Sequence, residues 1–411
     1  MIKNIIGIVA EYNPLHKGHL YHISMAAKDR DDALVAVLSS YFTQRGEPAF
    51  LSKWDRAETA LGAGINLVLE LPAFFSCHNG GVFAGGAVDI LAAAGVVDIV
   101  SFGMERPDFN FASILSILVQ EPTFFKDNLK KYLNSGYSYV KARAAALDNI
   151  QPGWGAFVST PNNSLALSYM ERILKRGYRI GWRPVRRAGA GYLDENAAAA
   201  LPSATAIRKA LYEGRDSDAE QGLPPSTCAV LERCMDSGRA VLSSEKLWRL
   251  ARFLLMRTPR EELATFSGMT EGIENRLKKY APRCSSWEEF VSACTTARYP
   301  AGRIRRQLIH FLLGIKQEEN RALQESGPAY IRVLGADQKG MEILRRMRDA
   351  STLPVLGKAP VKVPGPGGTL ARIERSACDL WEEMTEKYSP GLEKKRRTIT
   401  AEYFGEGESA P

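Results

Sequence analysis

The chain has 411 residues, 45% of them hydrophobic, with six cysteines, five histidines and a formal net charge of +8. That length exceeds one ordinary core and implies two domains, or one large domain with a substantial extension. No apolar run is long enough to span a bilayer, and Cys77, Cys228, Cys234, Cys284, Cys294 and Cys378 form no two-residue-gap pairs, which argues against a membrane protein, a disulfide framework and a zinc knuckle. The start "MIKNIIGIVAEYNP" meets Glu11 and Pro14 too early for a signal peptide, so a cytoplasmic protein with reduced thiols is expected. The positive charge favours a polyanionic partner.

In chain order, Ile5 to Ala10 reads as a buried strand, His16 to Lys28 as a helix, and Ala33 to Ser39 as a second strand. Trp54 to Leu61 is helical, Ile65 to Leu71 a third strand, Val82 to Ala94 a proline-free helix, and Val97 to Phe102 a fourth strand. Strands separated by helices at this spacing predict right-handed crossovers and a doubly wound parallel sheet, with binding at the strands' carboxyl ends. Helical stretches follow Asn110, among them Ser164 to Lys175, and then a strand at Tyr178 to Arg186. "LPSATAIRKALYEG" predicts a helix with Ser203 at its N-cap. From about Arg215 the strand signal fades and helical patterns dominate, as in "KLWRLARFLL" and "RIRRQLIHFLLGI". The expected division is therefore 1–215, an α/β sheet domain, and 216–411, a mainly α-helical domain. "LPVLGKAPVKVPGPGG" interrupts the second half as a proline- and glycine-rich loop, and "EKKRRT" and "EGESAP" read as a basic helix end and a frayed terminus.

Three of the five histidines, His16, His19 and His22, fall within "HKGHLYH" directly after the first strand. If a helix begins near Leu15, His16 and His19 share its first turn, and Gly18 leaves room for a close approach. The strand and the proline turn would deliver that helix start to the sheet's carboxyl edge, where free N–H groups and the helix dipole favour anions. A phosphate cradle follows, with the two histidines donating hydrogen bonds to a nucleoside triphosphate as its α-phosphorus is attacked. The bland alternatives are a surface cap or a metal pair, and no carboxylate or cysteine is spaced to finish a metal site locally. His22 is expected to support packing.

A histidine, any residue, glycine and histidine after the first strand resembles the signature of the nucleotidylyltransferase superfamily, whose members form an adenylate from ATP and release pyrophosphate. Its second signature resembles "SATAIR", where Ser203 and Thr205 would meet the β- and γ-phosphates and Arg208 would neutralise the leaving pyrophosphate. A closer resemblance runs from Gly7 to about Gly340: "GIVAEYNPLHKGH", "QRGEPAFLSKWDRAETAL", "SFGMER", "TPNNSLAL", "RRAGAGY", "SATAIRKAL", "EGIENRL" and "YIRVLGADQKG" stand in the order seen in the tRNA(Met) cytidine acetate ligase family. The resemblance implies a Rossmann-like nucleotidylyltransferase domain in which ATP and acetate form acetyl-adenylate. The acetyl group then passes to N4 of the wobble cytidine of elongator tRNA(Met). It also implies that Gly7, Ile8, Val9, Ala10, Glu11, Tyr12, Asn13, Pro14, Leu15, His16, Lys17, Gly18, His19 and Leu20 wrap the nucleotide. Gly103 would let adenosine approach a strand end, Asn162 or Asn163 would hydrogen-bond it, and Arg187 would contact the nucleotide or its phosphates. His16, His19 and Arg208 are the catalytic candidates. Mg2+ is compatible with a triphosphate site, with no ligand readable in the sequence.

Arg45, Lys53 and Arg56, following the second strand, are candidates to hold acetate or phosphate, against the alternative of a solvated helix start. In the helical half, Lys278 and Lys279, Arg303, Arg305 and Arg306, Arg345 and Arg346, and the Lys394 to Arg397 run recur as the basic spacing that a tRNA backbone would meet. Tyr280, Tyr299 and Tyr330 are candidates for base stacking, although such positions are more often core. A small-molecule adenylyltransferase of the coenzyme-biosynthesis type is the alternative enzyme, and it leaves the basic helical half without a task. A noncatalytic RNA-binding protein on the same fold is harder to reconcile with two intact phosphate motifs.

Overall fold

Successive side chains of a strand point to opposite faces, and a sheet covered on both faces therefore reads as unbroken apolar runs. The computed structural model, which describes residues 2–187, 202–360 and 363–400, shows that arrangement. The elements run β1 (Ile5–Ala10), α1 (Lys17–Ala26), β2 (Ala33–Ser39), α2 (Lys53–Gly62), β3 (Leu67–Leu71), α3 (Ala73–Ser76), α4 (Gly80–Ala93) and β4 (Ile99–Met104). Then come α5 (Ala112–Gln120), α6 (Thr123–Asn134), α7 (Tyr139–Asp148), α8 (Trp154–Ser159), α9 (Pro161–Arg176) and β5 (Gly181–Arg186). The parallel order β5-β4-β1-β2-β3 reverses direction at β1, so a topological switch point opens between the carboxyl ends of β1 and β4. Leu34, Ala36 and Leu38 face α1 and α2 with Ile23, Trp54 and Ala57, while Val35 and Val37 face the opposite layer with Val88 and Leu91 of α4.

The second half is mainly helical: α10 (Ala204–Tyr212), α11 (Asp216–Gln221), α12 (Pro225–Asp236), α13 (Glu245–Arg257), α14 (Arg260–Leu263), α15 (Ile273–Tyr280), α16 (Trp287–Cys294), α17 (Ala301–Leu312) and α18 (Gln317–Ser326). It departs from the expected fading of strands at β6 (Ile331–Ala336), which lies antiparallel against β3 and extends the sheet. Next come α19 (Gln338–Ala350), the two-residue strand β7 (Val355–Leu356), α20 (Pro366–Met384), α21 (Leu392–Lys395) and β8 (Ile399–Thr400), with β7 and β8 both pairing with β6. Within "LPVLGKAPVKVPGPGG", Val355–Leu356 is the short strand, and Pro366 opens α20 at a first-turn position that needs no N–H. The glycine-rich part of "RRAGAGY", 188–192, and the tail "EGESAP" lie outside the described residues. Among the described residues no helix is long and apolar enough to cross a membrane.

Candidate active site

β1 ends on Ala10, and the next residues turn sharply: Tyr12 takes φ +44° and the Asn13–Pro14 bond is cis. The turn sets His16 at the N-cap of α1, beyond the carboxyl end of β1. There the Nδ1 of His16 accepts from the Gly18 N–H at 3.0 Å, and the Nδ1 of His19 accepts from the His16 N–H at 3.2 Å. A backbone N–H can only donate, so both Nδ1 atoms are unprotonated and each neutral ring carries its proton on Nε2. The two rings lie with centroids 3.8 Å apart. Burial, with Arg187 and Arg208 nearby, lowers the His16 pKa to about 3. Burial, together with His16 and Arg187, holds His19 well below its usual value too. The pair is thus two neutral Nε2–H donors at neutral pH.

Other parts of the motif serve geometry. A Cβ on Gly18 would stand 2.9 Å from the His16 ring, so the close approach this glycine permits is that of the histidine itself. Gly7 makes room for Leu91 of α4, and Ile8, Tyr12 and Leu15 are buried in the core. Lys17 turns aside, donating to the Gln221 carbonyl at 2.6 Å. His22 meets Ser101 of β4 at 3.1 Å and so ties α1 to the strand across the switch point.

The second motif arrives from about 190 residues later in the chain. Ser203 caps α10, accepting from the Ala206 N–H at 3.1 Å, and Arg208 donates to the Asn13 carbonyl at 2.7 Å. The loop after β2 joins them: Arg45 donates to the Thr205 hydroxyl at 3.2 Å, and Glu47 lies 3.6 Å from Arg208. Glu11, whose carboxyl is raised by burial, accepts from the Gln44 N–H at 2.7 Å and holds that loop against β1. Arg187 and Arg208 thereby bring positive charge to the histidine pair, and Arg45 adds a third cation beside Thr205, an arrangement suited to a polyphosphate.

At the end of β4, Gly103 is overlain by Arg187, whose Cγ would lie 3.2 Å from an added Cβ. Arg187 donates to the Asn162 side chain at 3.2 Å. The adjacent asparagines differ in kind. Asn163 is fully buried, accepting from the Glu105 N–H at 3.0 Å and donating to the Phe157 carbonyl at 3.3 Å, so its amide is committed to the fold. Asn162 stands at the rim beside Arg187. Its own amide is engaged too, donating to the Glu105 carboxylate at 2.6 Å while its oxygen meets Arg187.

Two expected anion holders are corrected. Arg56 is buried and donates to the carbonyls of Leu51, Glu11, Ser39 and Ser40, clamping the turns after β1 and β2. Lys53 is fully buried among three carboxylates: Glu70 of β3, Glu374 at 2.9 Å and Glu393 at 2.8 Å. Glu374 also accepts from Ser40 and from the Ala73 N–H, the first residues past β2 and just beyond β3. Burial raises the Glu70 carboxyl far above its usual range. Although burial opposes it, Lys53 keeps Glu374 below its own. Nothing in the local sequence could have announced partners more than 300 residues away.

The basic residues of the second half do not form one free surface. Arg306 donates to the Gln44 carbonyl at 2.9 Å and Arg305 lies 3.6 Å from Glu47, so both brace the loop at the site, where Gly46 at φ +76° lets α17 approach its backbone. Lys278 caps α13 through the Thr258 carbonyl at 2.6 Å, Arg303 pairs with Glu271 and Arg346 with Glu342. Lys279 and Arg345 are exposed. Arg345 and Arg346 lie on α19, whose ends touch Asp32 before β2 and Gly95 before β4, at the edge of the sheet opposite the histidines. Tyr330 is buried, which removes it as a stacking platform, and the Arg303 guanidinium lies 5.0 Å from the centre of the Tyr299 ring, covering one of its faces.

A doubly wound sheet with two histidines at its switch point, faced by a capped helix and its arginine, defines a nucleotidyl transferase. The family model described as HIGH Nucleotidyl Transferase matches residues 3–397. The tRNA(Met) cytidine acetate ligase of Thermoanaerobacter sp. (strain X514) is 36% identical over 358 residues, covering 86% of this chain and 88% of that protein, and that of Syntrophomonas wolfei is 34% identical over 396 residues, 94% of each. The crystal structure of apo Thermotoga maritima TmcAL superposes with a TM-score of 0.92 at 30% identity, covering 97% of this chain and 100% of that one. The same protein bound with alpha-thio ATP gives 0.87 at 29% identity. The chain belongs to the tRNA(Met) cytidine acetate ligase family.

Proposed function

We propose that this chain is an ATP-dependent ligase that activates acetate as acetyl-adenylate and transfers the acetyl group to N4 of the wobble cytidine, C34, of elongator tRNA(Met), forming N4-acetylcytidine. The observation that carries the reading is the pair of histidines locked as Nε2–H donors beside Arg187 and Arg208. An acetate oxygen attacks the α-phosphorus of ATP, the bond from that phosphorus to the bridging β-oxygen breaks, and pyrophosphate leaves. His16 and His19 donate to the oxygens on which charge builds, and Arg208 with Ser203 and Thr205 holds the departing pyrophosphate. Asn162 and Arg187 hold the nucleoside side. The cytidine N4 then attacks the acetyl carbonyl carbon, the anhydride C–O bond breaks, AMP leaves and N4 loses a proton to solvent. No protein nucleophile is needed, because the mixed anhydride is already activated.

Residues 1–215 carry activation in this reading, and 216–411 present tRNA. Lys279, Arg345, Lys394, Lys395 and Arg397 are the exposed members of the basic set offered for its backbone. A tRNA substrate implies a cytoplasmic setting. The test is transfer of labelled acetate into unmodified elongator tRNA(Met) followed by nucleoside analysis. ATP-dependent label in N4-acetylcytidine is expected, and His19→Ala should lower acetate-dependent ATP–pyrophosphate exchange by about two to three orders of magnitude. Pyrophosphate release with a small acceptor and no labelled tRNA would transfer the chain to coenzyme-type adenylyltransferases.

A further inference from the structure

The hairpin of α6 and α7 carries a surface that adenylate formation does not use. At its tip Tyr137, Tyr139 and Val140 are 43%, 58% and 58% exposed. Tyr132 stacks on Tyr137 with centroids 5.7 Å apart, and the Lys131 ammonium lies 5.9 Å over the Tyr132 ring. Residues 128–147 contain no acidic side chain, but include Lys130, Lys131, Lys141 and Arg143. Aromatic faces left open to water, on a stretch whose charged side chains are all cationic, fit a ligand that is both flat and polyanionic.

The tip also lies toward the reacting centre. Arg143, four residues and so about one 6 Å turn beyond Tyr139 on the same helix face, donates to Ser164 at 3.2 Å in the first turn of α9. That turn holds Asn162, which accepts from Arg187, the cation whose charge acts on His16. A continuous set of contacts thus joins the aromatic tip to the rim of the histidine site. A second copy of this chain fits poorly, since a twofold contact would set this cationic patch against the same patch of the partner.

We propose that the α6–α7 tip is an RNA-docking surface, on which unpaired bases of a single-stranded loop stack against Tyr137 and Tyr139 while Lys131 and Lys141 meet the phosphates. The inference rests on the ligase reading and adds to it a surface outside the basic second half. Stacking of one base sets the expected effect of Tyr139→Ala at about a tenfold rise in the Kd for unmodified elongator tRNA(Met), with Tyr139→Trp restoring it. Lys131→Glu/Lys141→Glu, at exposed positions, should weaken the same binding and flatten its salt dependence. Acetate-dependent ATP–pyrophosphate exchange without tRNA should be unchanged in each full-length variant. Unaltered tRNA affinity in both sets overturns the proposal, as does a loss of exchange that accompanies the loss of affinity in both. Self-association of the wild-type chain by sedimentation that these variants abolish would assign the tip to a second copy instead. If wild-type protein neither binds nor acetylates tRNA, the ligase reading itself falls, whatever the variants do.

Discussion

His16 and His19 turn the backbone around them into part of the chemistry. Each ring spends its Nδ1 on a helix-start N–H, and that bond fixes which nitrogen carries the proton. An imidazole that titrated near its ordinary value would exist as two species at neutral pH, one of them unable to keep the capping bond. Burial prevents this by disfavouring the cation, so the sign of the shift is downward and a proton is bound only as the pH falls to about 3 at His16. The same cause lowers His22 and His310 to about 4 and His78 to about 3, and also lowers His19. In protein with labelled histidine, none of the five ring signals should titrate between about pH 5.5 and 8, while the denatured chain should show all of them titrating near about 6.5. A midpoint near 6.5 for His16 or His19 in the folded chain would remove the fixed-tautomer donor role.

At the scale of elements, Lys53 of α2 holds three segments by one ammonium. It draws Glu70 of β3, Glu374 of α20 and Glu393 of α21 together, and Glu374 in turn fixes the residues just past β2 and β3. Removing the cation strands several carboxyls without water, so Lys53→Met should cost about 3–5 kcal/mol in urea denaturation at neutral pH. The loss should shrink in acid, as the pH falls through the range of Glu374, the carboxyl that Lys53 holds below its usual value. A destabilisation below about 1 kcal/mol would mean the cluster is nearly neutral without Lys53. The strands from β1 to β5 and helix α1 were legible because local apolar runs and turn residues define them. β6 was not, because six residues in "YIRVLGADQKG" become a strand only against the open edge of β3. Arg305 and Arg306 looked like a solvated cationic face for a related reason: Gln44 and Glu47, which engage them, lie some 260 residues earlier. The α6–α7 tip escaped notice because exposure of tyrosines cannot be read from their spacing.

For the molecule as a whole, these long-range partners bear on whether the proposed division at residue 215 is one of folding as well as of task. A single apolar cluster includes Val37, Phe74 and Leu91 from the sheet layer and Trp248, Phe290 and Leu308 from the helices. His310 of α17 bonds the Cys77 carbonyl at 2.7 Å, and Trp381 of α20 donates to the Ala49 carbonyl at 2.7 Å, both beside loops at the strands' carboxyl ends. A fragment of residues 1–215 would keep "HKGH" and "SATAIR" yet expose the β3 edge, uncover that shared cluster and leave Lys53 with one of its three carboxylates. Such an edge and such a surface favour aggregation. The fragment should therefore give no cooperative thermal transition by circular dichroism and no acetate-dependent exchange, whereas the full chain should unfold as one unit. A fragment that melts cooperatively near the full-chain Tm would show that the sheet is self-sufficient and that the second half is an appendage for substrate alone. The expected failure would instead make the helical half a structural requirement for activating acetate, because it supplies the residues that hold the 40–47 loop where Arg45 meets Thr205.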